Sequence, residues 1–298
     1  MSNLELKRTI ECNQGSVRAV RYNVDGSYAI TSGSDKKIKL WNPSTGLMLK
    51  MYGGHANEVT EAIGSCDSCH ILSASLDKSL IYWDVTTAQP LRRLRCHAGG
   101  VNCIAFSEDS NVAISGGKDN LVMCWDIRTR KLEPIQTMNE AKDGITRIIV
   151  NEFEIIVSSL DGCIRRYDLR KGEITCDNVG ESIVDISQTK DTKCTLVACS
   201  DNALRLLDND NAETLATYRG HQADDYHVEC GILSNDSQIV CGSSDGTAFI
   251  WDLVEEKVIS RLAIGSGVIQ SLATHPTTDD ILFANKREIQ LWGIPTEL

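Results

Sequence analysis

His55, Ser73 and Asp77 are the residue types of a hydrolytic triad, and they lie close together in the chain. In such a triad the imidazole takes the serine proton, the carboxylate orients the imidazole, and the exposed hydroxyl attacks a carbonyl beside an oxyanion hole. The same set recurs as His97, Ser115 and Asp119, with the same spacing. An active site is needed once, so the duplication favours a structural role. A tryptophan follows each serine by ten residues, at Trp83 and Trp125. Its indole N–H needs an acceptor, which the serine hydroxyl supplies. The hydroxyl then donates to His, and Asp holds the other ring nitrogen and ties down a turn. His55, Ser73, Asp77 and Trp83 thus form one structural tetrad, and His97, Ser115, Asp119 and Trp125 a second. No catalytic residue is assigned.

Two other motifs carry chemistry elsewhere. Cys66-Asp67-Ser68-Cys69-His70 has the C-x-x-C-H spacing of covalent haem attachment or half a zinc site. It falls on a hairpin, and no second Cys or His pair lies near it in sequence. Asn235-Asp236-Ser237 fits a glycosylation sequon, which has meaning only in an exported chain. There is no Walker loop and no dinucleotide glycine pattern. The sequence therefore leads us to expect no cofactor, no metal and no enzyme. An enzyme built on this repeated fold is the distant alternative.

The elements that must position the tetrads repeat along the chain. Anchors fall at Trp41, Trp83, Trp125, Tyr167, Leu207, Trp251 and Trp292, at intervals of 42, 42, 42, 40, 44 and 41. Six residues before each lies Asp35, Asp77, Asp119, Asp161, Asp201 or Asp245, and Lys286 in the last. Each unit reads as short strands joined by turns, as in Ile114 to Trp125, which turns on Lys118-Asp119-Asn120. Seven such units predict an all-β, seven-bladed propeller filling residues 1–298 as one domain. Unit one keeps Thr31, Asp35 and Trp41 without a His. Unit six keeps His221, Asp245 and Trp251, with Cys241 in place of serine. Units four, five and seven are degenerate. After Trp292 the chain has too little left for an outer strand, and Pro295 breaks what remains. Leu6-Lys7-Arg8-Thr9-Ile10 resembles the missing piece, so a strand at about 5–11 is expected to complete the last blade and close the ring.

Apolar residues make up 42% and charged residues 24%, the range of a globular domain. The first residues lack a signal-peptide core and no apolar run is long enough to span a membrane. Nucleus and cytoplasm are the expected locations, with reduced cysteines and no membrane contact. A net charge of −11 argues against direct sequence-specific nucleic-acid binding. The charge is uneven. Residues 1–60 carry five acids and eight bases, whereas residues 201–260 carry twelve acids and three bases. The acidic stretch reads either as a solvated face or as a dock for a basic partner segment.

The WD anchors, with the Gly54-His55 and Gly220-His221 pairs, resemble the WD-repeat (WD40) family. Further stretches are similar to one branch of it over nearly the whole chain. They are Val17 to Gly26, Asp161 to Arg170, Leu204-Arg205-Leu206-Leu207-Asp208 and Gly265 to Leu272. That resemblance implies a protein-interaction scaffold with two contexts: a component of the late spliceosome in pre-mRNA splicing, or a scaffold for a mitogen-activated protein kinase cascade. The partners would be spliceosomal proteins or signalling kinases, and one copy of the ring would act within a larger complex. The resemblance also places partner contacts on one rim of the central channel. Carried over, these are Arg18, Ser34, Glu58, Thr60, Leu76, Asn102, Lys118, Thr146, Leu160, Ser200 and Ser244. Arg18 and Lys118 are suited to a partner's carboxylate. In the sixth unit the segment His221 to His227 adds Tyr226 as an interface aromatic, and Asp224 and Asp225, with Glu229 just after it, are candidate acidic contacts.

Overall fold

β-Branched and aromatic residues alternate with polar ones in runs of about six, and Asp, Asn or Gly ends each run. In the computed structural model, residues 4–95, 97–223 and 226–294 are described. They form seven antiparallel sheets of four strands each, arranged as a closed propeller. Blade 1 is Val17–Tyr22, Ala29–Gly33, Lys37–Asn42 and Leu47–Gly53, from channel to outer edge. The innermost strands of blades 2 to 7 are Val59–Gly64, Val101–Phe106, Ile145–Val150, Ile183–Gln188, Cys230–Ile232 and Ile269–Thr274. Each innermost strand packs on the next, and that of blade 7 packs on that of blade 1.

The chain closes the ring as the sequence leads one to expect. Blade 7 takes its outer strand, Glu5–Glu11, from the start of the chain, antiparallel to Glu288–Gly293. Ile10 lies opposite Ile289 and is buried with Val17 and Trp41 of blade 1. The Lys7 ammonium adds an ion pair to Asp280 at 2.6 Å.

The hydrophobic core lies between blades. Each of seven apolar clusters spans one blade-to-blade interface. One joins Leu72, Ala74 and Leu80 of blade 2 to Ile104, Met123 and Trp125 of blade 3. A single blade therefore buries its faces only when both neighbours are present.

The tetrads fix the turns that reach the channel rim. Trp83 Nε1 donates to Ser73 Oγ at 2.8 Å, and His55 Nε2 meets the same oxygen at 2.8 Å. Asp77 holds His55 Nδ1 at 3.0 Å and accepts from the Ala56 and Ser79 amides. Burial tends to raise the Asp77 pKa, but the Ser79 hydroxyl at 2.6 Å, then the Ala56 amide and His55, outweigh it and bring it down to about 2. Blade 3 repeats the set: Trp125 to Ser115 at 3.0 Å, Ser115 to His97 at 2.8 Å, His97 to Asp119 at 2.9 Å. The residues just before the two aspartates are Leu76 and Lys118. Each tetrad thus sets the height of a rim side chain. Ser73 is fully buried and committed to Trp83, so it cannot serve as a nucleophile.

Other blades solve the same problem with other residues. In blade 1, Thr31 Oγ1 accepts from Trp41 at 2.8 Å and donates to Gln14 at 2.5 Å, so a fully buried glutamine stands where His would be. In blades 4 and 5 an arginine four residues past the turn takes the aspartate: Arg165 to Asp161 at 2.7 Å, Arg205 to Asp201 at 3.0 Å. In blade 7, Gln290 accepts from Trp292 at 3.0 Å. Blade 6 departs from the expected near-complete set. Asp245 accepts from the Thr247 amide, and Trp251 donates to the Arg219 carbonyl. Among the described residues, neither ring nitrogen of buried His221 has a hydrogen-bond partner. Cys241 accounts for the one that serine meets in blades 2 and 3, because a thiol is too weak a partner to relay the indole to the imidazole.

Two outcomes follow. Removing residues 1–11 leaves blade 7 with an open edge and strips Ile10 from the core, so the truncated chain melts lower and associates. Calorimetry with light scattering checks this; an unchanged melt of a monodisperse chain would refute the closure. Burial also holds His221 near a pKa of about 4, against an ordinary 6.5. The unfolded chain takes up that proton first, so stability is whole above pH 6.5 and falls towards pH 4. The loss from this residue is about 3 kcal/mol. Denaturant titrations of wild type and His221→Leu across this range should differ by that component. Identical pH slopes would contradict it.

Candidate functional site

Six of the seven innermost strands have a bulge near the start, and that of blade 6 pairs in regular register. In blade 1 the register shifts between Val17 and Ala19, in blade 2 between Val59 and Glu61, and in blade 5 between Ile183 and Asp185. As the inner edge of its sheet, each innermost strand leaves amides unpaired on its channel side, and at four junctions a side chain of the preceding blade crosses the gap to meet one. Glu61 accepts from the Ile104 amide at 2.9 Å, Asp185 from Cys230 at 2.9 Å, and Glu229 from Leu272 at 3.0 Å. Ser271 does the same between blades 7 and 1, accepting from Val20 at 3.0 Å.

These carboxylates line the channel with two arginines among them. Arg21 bridges Glu61 and Glu229, each at 2.6 Å. Arg147 lies 2.9 Å from Glu61, 3.6 Å from Asp185 and 3.7 Å from Glu229. Burial opposes the Glu229 charge, but Arg21 and then Arg147 outweigh it and take its pKa to about 2. Asp185 goes the other way: burial raises it, despite the pull of Arg147. Among the described residues its buried Oδ1 has no hydrogen-bond partner.

Above this ring opens a cavity of about 680 Å³. Among its walls are Arg18, Glu58, Thr60, Leu76, Asn102, Lys118, Thr146, Leu160 and Ser200, nine of the eleven rim positions carried over from the family likeness. Ser34 and Ser244 do not line it. Ser34 Oγ is instead drawn into its own loop, accepting from the Ser16 amide at 2.8 Å. Arg18 is not a free cation, since Glu58 holds it at 2.7 Å. Tyr226 lines the cavity and is exposed. Asp224 and Asp225 lie outside the described residues. Glu229 corrects the picture of an exposed acidic sector: it is 5% exposed and already paired with Arg21.

Sequence reasoning missed Arg21, Glu61, Arg147, Asp185, His227 and Gln270, although all but Asp185 line the cavity. A signal was present: an ionisable residue sits near the start of an otherwise apolar innermost strand in four blades. Cys66-to-His70 makes an ordinary turn, with Asp67 accepting from the Cys69 amide and His70 stacked on Tyr82 at 4.8 Å. Nothing in that turn converges on a ligand.

A seven-bladed ring with Trp–Ser–His–Asp relays and a walled axial cavity is a WD40 propeller, a class of fold that typically serves as a non-catalytic scaffold for protein interactions. The model of the family "WD domain, G-beta repeat" matches residues 4–42, 46–84, 88–126 and 212–252. Each of these units runs from an outer strand into the next blade, which is the offset that closure requires. The unmatched units end in blades 4, 5 and 7, where Arg or Gln replaces the relay. The chain belongs to the WD-repeat family. It is 58% identical to the WD repeat domain-containing protein 83 of Rattus norvegicus over 285 residues, covering 96% of this chain and 90% of that protein. The Homo sapiens protein of that name is 55% identical with the same coverage. The Dictyostelium discoideum homolog is 32% identical over 98% of this chain and 99% of its own length.

The charge ring has a testable cost. Arg21→Met leaves Glu61 and Glu229 short of a buried partner, and should destabilise by about 3–5 kcal/mol. Lys118→Met, on the exposed rim, should change stability by no more than about 0.5 kcal/mol. Urea unfolding of both variants checks the contrast; equal stabilities would refute the ring's structural role.

Proposed function

We propose that the chain is a non-catalytic platform on which other proteins assemble, engaged through the mouth of its central channel. One observation carries this. Nine positions scattered from residue 18 to residue 200 converge on one walled cavity, with apolar, amide and charged groups interleaved. Such a surface excludes water at its apolar parts and sets orientation with its polar ones.

The context we propose is the late spliceosome, acting in pre-mRNA splicing, with the protein in both nucleus and cytoplasm. The likeness to one branch of the WD-repeat family over nearly the whole chain supports that reading. In it, partners are spliceosomal proteins and not bare RNA, since the chain carries a net charge of −11. The same likeness also implies the mitogen-activated protein kinase scaffold, which the test separates.

A tagged chain is purified from nuclear and from cytoplasmic fractions, and its companions are identified by mass spectrometry. The same is done with a Leu76→Asp, Leu160→Asp variant whose melt matches wild type. Spliceosomal proteins in the nuclear eluate, depleted in the variant, are the expected result. Kinases of one cascade without splicing proteins would overturn the context. Companions that persist unchanged in the variant would overturn the channel mouth as the docking face.

A further inference from the structure

Four cations line the mouth of the channel, and three are already matched. Arg18 is held by Glu58 at 2.7 Å, Arg21 by Glu61 and Glu229 at 2.6 Å, and Arg147 by Glu61 at 2.9 Å. Lys118 is the fourth. It is exposed, lines the cavity, and among the described residues its ammonium pairs with no carboxylate. The nearest acid in the chain, Asp119, is turned inward to His97 at 2.9 Å and to the Ala98 amide at 2.7 Å.

The neighbours of Lys118 around the rim are apolar. Leu76 and Leu160 hold the same turn position in blades 2 and 4, and Leu160 is 40% exposed. Glycines floor the space between them. A Cβ on Gly100 would stand 2.9 Å from Leu76 Cδ2, and one on Gly99 would stand 3.2 Å from Lys118 Cβ. A Cβ on Gly144 would meet only Leu160 Cδ1 and Lys118 Cα, each at 3.8 Å. No side chain from these glycine positions intrudes between the leucines and the lysine. The result is a cation between two apolar side chains over a backbone floor.

We propose that this sector of the rim, on blades 2 to 4, docks a peptide segment that carries one internal Asp or Glu between apolar residues, its carboxylate pairing with Lys118. The inference rests on reading the channel mouth as the docking face, and it names the partner's chemistry. One unmatched positive charge suits one carboxylate. A phosphate dianion calls for more cations than this, and the three arginines are committed elsewhere. A basic segment would meet Lys118 with like charge and find Glu58, Glu61 and Glu229 already paired. The flanking leucines exclude water from the pair, which strengthens it over an open surface contact.

The test pans a random peptide display library, with every peptide fused at both ends so that no terminal carboxylate is free, on the immobilised full chain. Selected peptides are resynthesised and titrated by fluorescence anisotropy against wild type, Lys118→Glu and Leu76→Asp, Leu160→Asp, each checked for an unchanged melt. The expected peptides carry an Asp or Glu between apolar residues. Replacing that acid with its amide should weaken binding about tenfold. Lys118→Glu should abolish binding, and changing the peptide's acid to Lys should restore it. Peptides lost with the leucine variant but indifferent to Lys118→Glu would overturn the carboxylate anchor and leave the docking face standing. Peptides indifferent to both variants, or a library that yields none, would overturn both.

Discussion

The closed ring depends on a bond that crosses between blades. Seven sheets cannot share ladder hydrogen bonds around a channel, because each sheet lies face to face with the next. Each innermost strand is the inner edge of its sheet, so an amide on its channel side has no strand to pair with. An unmet buried N–H is costly, so a side chain must reach over. Glu61, Asp185, Glu229 and Ser271 do this for Ile104, Cys230, Leu272 and Val20. Three of the four are carboxylates and would repel one another. Arg21 and Arg147 stand between them for that reason.

From that requirement the layout of the site follows. The ring of charges consumes nearly all the ionic capacity of the deep channel, so recognition is left to the mouth above it. There the side chains are set by a second local requirement, the polar groups behind each turn: a buried indole in blades 1, 2, 3 and 6, and the turn aspartate itself in blades 4 and 5. Where His and Ser satisfy it, the turn aspartate is fixed from inside and the residue before it stands at the rim. Where they are lost, Arg165 and Arg205 grip the aspartate directly and Gln290 meets Trp292, so the turn survives. His221 shows what happens when one relay member changes without a replacement: among the described residues, neither nitrogen of the buried imidazole is bonded.

The fold was legible because its anchors recur at a nearly fixed interval and a repeat cannot be read as anything but stacked units. The closing strand was legible because Leu6 to Ile10 repeats the pattern of the outer strands, and it pairs with Glu288–Gly293. The rim was legible only through family likeness, and most of it converges in space. What escaped notice has a common physical cause. A bulge breaks the two-residue alternation, so Ala19 and Val20 are both buried and Arg21 lands in the channel against the parity its strand suggests. Glu229 was misread as a surface acid because charge counting along the sequence cannot see that Arg21, far away in the chain, is its neighbour. The substitutes for His were also readable after the fact. Arg165, Arg205 and Gln290 sit two residues before their anchors in blades 4, 5 and 7, where Ile81, Met123 and Phe249 stand in the blades with His.

Ser271 offers the most direct test of the cross-blade bond, since it is the smallest of the four bridging side chains and sits where blade 7 meets blade 1. Native-state hydrogen exchange can follow the Val20 amide in wild type and in Ser271→Ala. The bond at 3.0 Å should make that amide exchange about tenfold faster in the variant, while the Ile104 and Cys230 amides, held by Glu61 and Asp185, keep their rates. An unchanged Val20 rate, or a uniform rise at all three amides, would contradict the account.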